Sequence, residues 1–289
     1  MRIITNIASY IKESNINTGA NIQSSLEKIS TGLTINAASD DPSGLSIADT
    51  LRTHATGLNQ SISNGNSAIS LVQVAEKSMG EQSTLLDVMK QKLLQLSTST
   101  TSLEGAKSIA KDISKLTEQI NAVANQTNYN GQYLLQKDHN DSSGTNELYF
   151  QVGTSIDDNI RLTGGLQSNT TGLNLDLLVT HANNNWNNAT TAQSAQSDGR
   201  TFLLSIDNAL DTINSYRTDV GAVQNQLESK IRTLIPQLTN TKISESVLRD
   251  TDFAQESTRY SKQNIIMQAG TYALSQANSS QESVVRLLQ

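Results

Sequence analysis

Apolar residues recur at alternating steps of four and three along a segment in the first third of the chain. They are Ala68, Val72, Ala75, Met79, Leu86, Met89, Leu93 and Leu96, with polar Gln82 on the remaining position of the series. This spacing is the heptad pattern of a coiled-coil seam. It predicts a long helix over roughly residues 58 to 98.

Two further heptad series predict the partners of this helix. The second series begins after a short polar turn in which Ser102 is positioned to cap a new helix. Its members are Ala106, Ile109, Ile113, Leu116, Ile120 and Val123, and those of the third series are Ala209, Ile213, Tyr216, Val220, Val223, Leu227, Ile231, Leu234 and Leu238. We expect the first two helices to lie antiparallel, and the third to complete a bundle once the chain has returned.

Both ends of the chain carry thinner apolar series. The first consists of Ile22, Leu26, Ile29 and Leu33, and the second of Phe253, Tyr260, Met267, Leu274 and Leu288 on a seven-residue grid. We expect the ends to pair with each other, although each could also be an ordinary surface helix lying on a core. So few apolar side chains do not offset the entropy of ordering roughly 40 residues. We therefore expect disordered ends in the isolated chain, which become helical when neighbouring molecules bury them.

The region between the heptad series has a different pattern. Leu148, Phe150 and Val152 alternate with polar residues, as do Ile160 and Leu162, and the segment TSIDD lies between the two runs. This alternation predicts a β-hairpin. The Asn- and Thr-rich remainder, residues 166–200, is interpreted as a short exposed region.

Composition favours thin, long helices over a thick core. Of the 289 residues, 36% are hydrophobic and 4% aromatic, and there are two prolines. A net charge of -6 argues against nucleic acid as a partner, because phosphate binding needs clustered Lys and Arg. The absence of cysteine excludes disulfides and thiolate metal sites. We find neither the apolar h-region of a signal peptide nor a membrane-spanning stretch.

The segment SDDPSG, residues 39–44, is the strongest candidate for chemistry. Its paired carboxylates could form a metal site, a catalytic acid pair or a corner in the chain. Asp41 is placed as an N-cap and Pro42 as the first helical residue, and no His or third carboxylate follows at ligand spacing. We interpret the segment as a corner.

No other residues suggest catalysis. The three histidines, His54, His139 and His181, lie far apart in the sequence, and the patterns HExxH and GxSxG do not occur. We expect no enzymatic activity, no cofactor and no metal.

Five segments together resemble the bacterial flagellins. They are LEKISTGLTINAASDDPSGLSIADTLR at 26–52, NQTNYNGQYLL at 125–135, FQVG at 150–153, DVGAVQNQLES at 219–229, and the tail at 248–289. The resemblance implies a short, mainly α flagellin with long helical hairpins, a coiled-coil bundle and a small β-hairpin region, lacking large outer domains. It divides the chain into an inner-tube domain (1–40 and 248–289), a rod domain (41–165 and 201–247) and the exposed region 166–200.

The same resemblance implies the function and the partners. A flagellin is secreted unfolded through the flagellar type III apparatus and polymerises with copies of itself into the filament used for swimming. Its further partners are the cap protein, the hook-filament junction proteins and an export chaperone. A junction protein of the same fold, or a secreted helical adhesin or effector, are the alternative interpretations.

Two departures from the family pattern concern the helices. Receptor-active flagellins carry an Arg-rich run in the stretch that here reads Asp87, Val88, Met89, Lys90, Gln91, Lys92 and Leu93. The key arginine position of that run is Val88, and an Arg usually occupies the position of Gln226. Because Val and Gln cannot replace the charge-assisted bonds of Arg, we expect weak or no activation of the toll-like receptor of innate immunity.

Pro236 is the second departure. It falls inside the third heptad series, where a proline removes a helical hydrogen bond. We expect a bend or a break there.

Hydroxyl side chains in the middle region are candidates for O-glycosylation. Thr190, Thr191 and Ser194 are selected for their place in the outward-facing tract.

Overall fold

The computed structural model describes residues 7–138, 146–186 and 191–287. It confirms the mainly α fold, with two small antiparallel sheets among the described residues. The chain divides into two compact units. The terminal unit is formed by Met1–Thr56 and Leu238–Gln289, and the central unit by Gly57–Gln237. Within the described part of the chain, no helix has the length and apolarity that crossing a bilayer requires.

Two helices make up most of the terminal unit. Helix α1 covers Ile7–Thr31 and helix α6 covers Phe253–Leu287, and the two pack against each other. The unit also includes the start of helix α2, Pro42–Leu96, and the end of helix α5, Ala192–Arg249. Both of these long helices therefore continue from one unit into the other.

The central unit contains the bundle that the heptad series predict. Helix α3 covers Leu103–Gln126, and Ser102 caps it by accepting a hydrogen bond from the Gly105 amide. Lys92 of α2 contacts Asp112 of α3, and Gln82 contacts the carbonyl of Ile120, so the two helices lie antiparallel as expected. The core cluster contains every apolar member of the first series and, from the other two, Ala106, Ile109, Ile113, Ile120, Ala209, Ile213, Val220, Val223 and Leu227.

The polar position in the first series is fully buried. Gln82 donates hydrogen bonds from Nε2 to the carbonyl oxygens of Ile120, at 3.1 Å, and of Ser168, at 2.9 Å. One amide thus ties α2 both to α3 and to the segment that follows the second sheet. The break in the apolar pattern marks a specific cross-link through Nε2, while Oε1 of the same side chain is buried without a hydrogen-bond partner among the described residues.

The predicted β-hairpin is present. Strand β3, Asn146–Gln151, pairs antiparallel with strand β4, Asn159–Leu166, and the TSIDD segment lies between them. Leu148, Phe150 and Leu162 point into the core.

A second hairpin precedes it, which the analysis of the sequence did not predict. Strand β1, Asn128–Tyr129, pairs with strand β2, Gln132–Tyr133, through the two-residue turn Asn130-Gly131. Both turn residues have positive φ, 51° and 82°, as a type I′ turn requires. The Asn-Gly dipeptide was the signal that could have revealed this hairpin.

The expectation of an exposed tract over 166–200 is wrong. Helix α4, Asp176–Thr180, and a π-helical turn, His181–Asn185, occupy its centre, and α5 begins at Ala192. Buried side chains line much of this segment; they are Leu166, Ser168, Asn169, Thr170, Leu173, Leu175, Leu178, Ala182, Trp186 and Ala195. The many Asn and Thr residues favoured an interpretation as exposed loop, although four Leu residues of the segment are buried in the core.

Helix α5 continues through Pro236, which rules out a break at this residue. A bend stays a prediction. Pro236 is exposed, while Leu234 beside it is buried. A proline on the outer side of a helix leaves the packed face intact, and the neighbouring turns then hold the helix together.

Candidate functional site

The paired terminal helices carry most of the residues that the sequence proposed for assembly. They run antiparallel, because Ser25 faces Gln263 across a 3.3 Å hydrogen bond while Met267 packs over Gly19 further along. A β-carbon on Gly270 would collide with the side chain of Asn15. The absence of a side chain at Gly270 therefore permits the close approach of the two helices.

The predicted terminal series lie on or next to two helices that pack against each other, but none of their described members is buried. Ile22, Ile29, Leu33, Tyr260, Met267 and Leu274 are half-buried. Leu26 is 51% exposed and Phe253 56% exposed, and Leu288 lies outside the described residues. The described residues of these two series therefore do not form a buried apolar core.

The buried side chains of α1 and α6 are all polar. Among the side chains that the structure describes in these two helices, only Thr18, Ser25 and Glu256 are buried. Large apolar side chains lie on the outside instead; they are Tyr10, Ile16, Leu26, Phe253, Ile265, Ile266 and Tyr272. Among the described side chains of these two helices, large apolar groups are exposed and none is fully buried, so the pair lacks the burial that normally stabilises packed helices.

A compact junction closes the terminal helix pair where α1 ends. The Thr34 amide donates to the Arg249 carbonyl at 2.6 Å, and the Thr251 amide donates to the Gly32 carbonyl at 2.9 Å. Gly32 terminates α1 with a φ of 74°, a left-handed conformation that favours glycine. The guanidinium of Arg249 lies 3.7 Å from the Asp49 carboxylate.

The two carboxylates of SDDPSG bind backbone amides. Asp41 Oδ1 accepts hydrogen bonds from the Ser43 amide, at 3.0 Å, and from the Gly44 amide, at 2.9 Å. Asp41 thus caps α2, whose first residue is Pro42.

Asp40 closes the preceding turn in a similar way. Its Oδ2 accepts from the amides of Ala37 and Asn36, each at 3.0 Å. The hydrogen bond from the Ala37 amide is the main cause that lowers the pKa of Asp40 below its usual value of 3.8, and the bond from the Asn36 amide lowers it further. The described residues contain no group of three or more side chains that could hold a metal ion. Both acids therefore shape the corner between α1 and α2.

The receptor-related residues lie on α2 and α5 of the central unit. Asp87, Gln91 and Gln226 are exposed and Val88 is half-buried. Lys90 Nζ lies 2.6 Å from Asp207 Oδ1, and the hydrogen bond to Asp207 raises the pKa of Lys90 above its usual value. The positive charge of Lys90 is therefore paired within the bundle.

A cluster around the single tryptophan was not predicted from the sequence. Asp198 Oδ2 lies 3.2 Å from Trp186 Nε1, which donates to it, and 3.1 Å from His181 Nδ1. Phe202 packs edge-on against both rings. His181 thus supports the middle segment, His54 belongs to the terminal unit, and His139 lies outside the described residues.

Two of the three candidate glycan acceptors lie at the start of α5. Thr191 and Ser194 are exposed, and the Ser194 hydroxyl donates to the Thr191 carbonyl at 3.0 Å. Thr190 lies outside the described residues.

Comparisons with known proteins give consistent matches along the chain. The model of the bacterial flagellin N-terminal helical region matches residues 3–140, and that of the bacterial flagellin C-terminal helical region matches residues 203–288. The chain is similar to the flagellin of Bacillus subtilis (strain 168), with 32% identity over 304 aligned residues that cover 100% of both chains. It is also 30% identical over 276 residues to the flagellar filament 33 kDa core protein of Treponema phagedenis, with 94% of each chain covered.

The fold is similar to that of solved flagellar proteins. One is a structure assigned as a flagellar hook-associated protein of Vibrio parahaemolyticus, with a TM-score of 0.58 and 12% identity. The match covers 73% of this chain and 99% of that chain. At this identity the similarity concerns the fold alone.

Proposed function

Since the chain belongs to the flagellin family, whose members are structural subunits of the extracellular flagellar filament and not enzymes, we propose that it polymerises with copies of itself after export. Export occurs in an unfolded state through the flagellar type III system. Polymerisation then buries the terminal helices of each subunit against those of its neighbours and yields the filament used for swimming.

One observation carries this proposal. The described side chains of α1 and α6 include no buried apolar residue, whereas Met79, Leu86, Met89 and Leu93 in the central unit are 0% exposed. The central unit buries its apolar core within one chain, but the terminal helix pair does not bury its described apolar side chains in this way. Other copies of the same chain, which present the same apolar surface, are the partners that such a surface requires in a homopolymer.

Seeded growth tests polymerisation directly. Purified subunits are added to sheared filament seeds, and filament length is followed by electron microscopy. We expect long helical filaments from the unmodified chain. Ile265→Asp, which places a charge on a 67% exposed position of α6, should abolish elongation because the aspartate would be desolvated in the assembled tube.

The matched control is Leu177→Asp, which places the same charge on a 70% exposed position of α4. This variant should elongate like the unmodified chain. Equal elongation of all three proteins would contradict assembly through the terminal helices. Growth of short rings or caps only would favour the alternative of a junction protein.

Export is tested in cells. The chain should accumulate outside cells that have a working flagellar export apparatus and should remain inside cells whose apparatus is inactivated. Release that is independent of the apparatus would contradict the proposed route.

The apolar surface of α6 also bears on the partners before and during assembly. A dedicated chaperone would cover this helix before export, and the cap and hook-filament junction proteins would contact the subunit at the ends of the filament. Removal of residues 248–289 should abolish chaperone binding in a pull-down, and the control substitution Leu177→Asp at an exposed position of α4 should leave it unchanged. The reverse pattern would contradict the assignment.

We further expect weak or no activation of the toll-like receptor, because Val88 and Gln226 occupy positions that carry Arg in receptor-active flagellins. The dose response of receptor reporter cells measures this. The double variant Val88→Arg with Gln226→Arg should increase the response, since it supplies two guanidinium groups on α2 and α5. A wild-type response as strong as that of a receptor-active flagellin would refute the expectation.

O-glycosylation at Thr190, Thr191 or Ser194 is proposed from their place in the sequence and from the exposure of the latter two. Intact-protein mass spectrometry of filaments from the native cell measures the added mass. The variant with alanine at all three positions should lose this added mass. A native protein whose mass equals the value calculated from its sequence would contradict the proposal.

A further inference from the structure

The chain contains two Asn-Gly dipeptides, and the fold places them in opposite environments. Asn130-Gly131 forms the turn between β1 and β2, and both residues are exposed. Asn64-Gly65 lies inside α2, where Asn64 is half-buried and Gly65 is buried. Asn-Gly is a dipeptide in which the small second residue leaves the asparagine side chain open to attack by the following backbone nitrogen.

We propose that Asn130 is a site of spontaneous isoaspartate formation and that Asn64 is protected from the same reaction. The Gly131 amide nitrogen attacks Cγ of Asn130, and a new C–N bond closes a five-membered succinimide. The Cγ–Nδ2 bond breaks, and ammonia leaves with the proton from the Gly131 nitrogen. Water then opens the ring at either carbonyl and gives isoaspartate or aspartate, with no change in oxidation state.

The turn leaves the attacking nitrogen available. The ladder pairs Tyr129 with Gln132 and Asn128 with Tyr133, so Gly131 lies outside the paired positions. Among the described residues, no hydrogen bond to the Asn130 side chain is found. The ring closure needs a rotation about the Asn130 backbone, and a ladder of two residues per strand opens at low cost.

The core next to the turn restricts this opening to the turn itself. Leu134 and Leu135 are 0% exposed, and the Leu134 amide donates to the Thr127 carbonyl at 3.1 Å. The reaction therefore requires a local fluctuation and not the unfolding of the bundle.

The helix holds the second dipeptide in an unreactive state. The Asn64 side chain accepts from Gln60 Nε2 at 2.8 Å and donates to the Gln151 carbonyl at 3.2 Å. In an α-helix the Gly65 amide is directed at the carbonyl four residues earlier and is occupied by that hydrogen bond. Attack on Asn64 thus requires opening of α2 where Gly65 is buried next to Ile231 and Val152, which costs more than opening the exposed turn.

The two sites can be measured in one sample, because trypsin separates them into peptides 53–77 and 116–137. The full chain is incubated at mildly alkaline pH, and isoaspartate in each peptide is quantified by mass spectrometry and by an isoaspartate-specific carboxyl methyltransferase. We expect conversion at Asn130 to be at least about tenfold faster than at Asn64 in the folded chain.

Two controls assign the difference to the fold and the product to Asn130. In concentrated urea the two rates should become similar, because both dipeptides are then in unfolded chain. Asn130→Gly keeps a turn with positive φ and should remove isoaspartate from peptide 116–137. Equal rates in the folded chain, no conversion at Asn130 while the unfolded chain reacts, or persistence of the product in Asn130→Gly would each overturn the proposal.

Discussion

At the scale of single residues, a few polar side chains connect helices that otherwise pack through apolar series. Gln82 is 0% exposed and bridges two backbone carbonyls, and the Arg217 guanidinium lies 3.0 Å from Glu76 across α2 and α5. Each interaction joins segments that are distant in the sequence. Their contributions to the stability of the central unit can be measured through Trp186, the single tryptophan, which is 1% exposed.

Replacing Gln82 by alanine should destabilise the central unit by about 1–3 kcal/mol, because the buried Ser168 carbonyl loses its donor and a cavity remains. Urea unfolding followed by the fluorescence of Trp186 gives this free energy. Gln91→Ala is the control, since Gln91 lies on the same helix but is exposed. Its effect should stay within about 0.5 kcal/mol, and equal losses in the two variants would refute the role of Gln82.

The Glu76–Arg217 pair should make stability depend on pH. The hydrogen bond from Arg217 is the main cause that lowers the pKa of Glu76 below its usual value of 4.5. A lowered pKa in the folded state means that the stabilisation is fully present above pH 4.5 and is lost as the pH falls through the pKa of the folded protein.

Glu76→Gln should therefore lower the free energy of unfolding by about 0.2–1 kcal/mol at neutral pH. The gap between this variant and the unmodified chain should narrow as the pH falls below 4.5. Glu81→Gln, at an exposed position of the same helix, should show no such pH dependence. A gap for Glu76→Gln that stays constant in acid would contradict the assignment.

At the scale of elements, the success of the sequence analysis followed the strength of the periodic signal. The helices of the central unit were predicted because long heptad series bury one continuous face, as Met79 to Leu96 do. The β3–β4 hairpin was predicted from its alternation. The packing of 166–200 was not, because its buried Leu residues follow neither a period of 3.6 nor one of 2, and only tertiary contacts such as that of Ser168 with Gln82 position them.

The candidate assembly residues were only partly accessible to sequence reasoning. A heptad grid identifies which side chains share one face of α1 or of α6, but it does not give the depth of their burial. Leu26 and Phe253 fit the grid and yet are more than half exposed. The glycine that permits the close approach of the two helices, Gly270, carries no apolar signal and was missed.

Pro236 gives a prediction for helix α5. Because the proline supplies no amide hydrogen to the helix, Pro236→Ala should restore one hydrogen bond and slow amide exchange in the adjacent turns, Arg232 to Asn240. Hydrogen exchange with mass spectrometry measures this. Asn240→Ala, at an exposed position in the next turn, is the control for a change in helix propensity, and equal slowing in both variants would refute the effect of the proline.

At the scale of the whole molecule, the two units differ in how much apolar surface a single chain buries in each of them. The central unit has a continuous apolar core, and the described side chains of α1 and α6 have none. We therefore expect amides of α1 and α6 to exchange rapidly in the isolated subunit and slowly in the filament. Amides of α3 should be protected in both states, which makes this helix the internal control.

Hydrogen exchange of monomer and seeded filament, compared peptide by peptide, tests this expectation. Strong protection of α1 and α6 in dilute monomer would contradict it. It would mean that the terminal pair is stable without neighbours, despite its apolar exterior.

The bridge at Gln82 also has a consequence for how the bundle finds its alignment. Seams built from Leu, Met, Ile and Ala at sevenfold spacing keep much of their contact when one helix slides along another by two turns. The Gln82 amide meets Ile120 and Ser168 in a single arrangement, so a slipped bundle would strand it in a dry interior. Every correctly closed copy therefore has the same dimensions, as the proposed polymer of identical subunits requires.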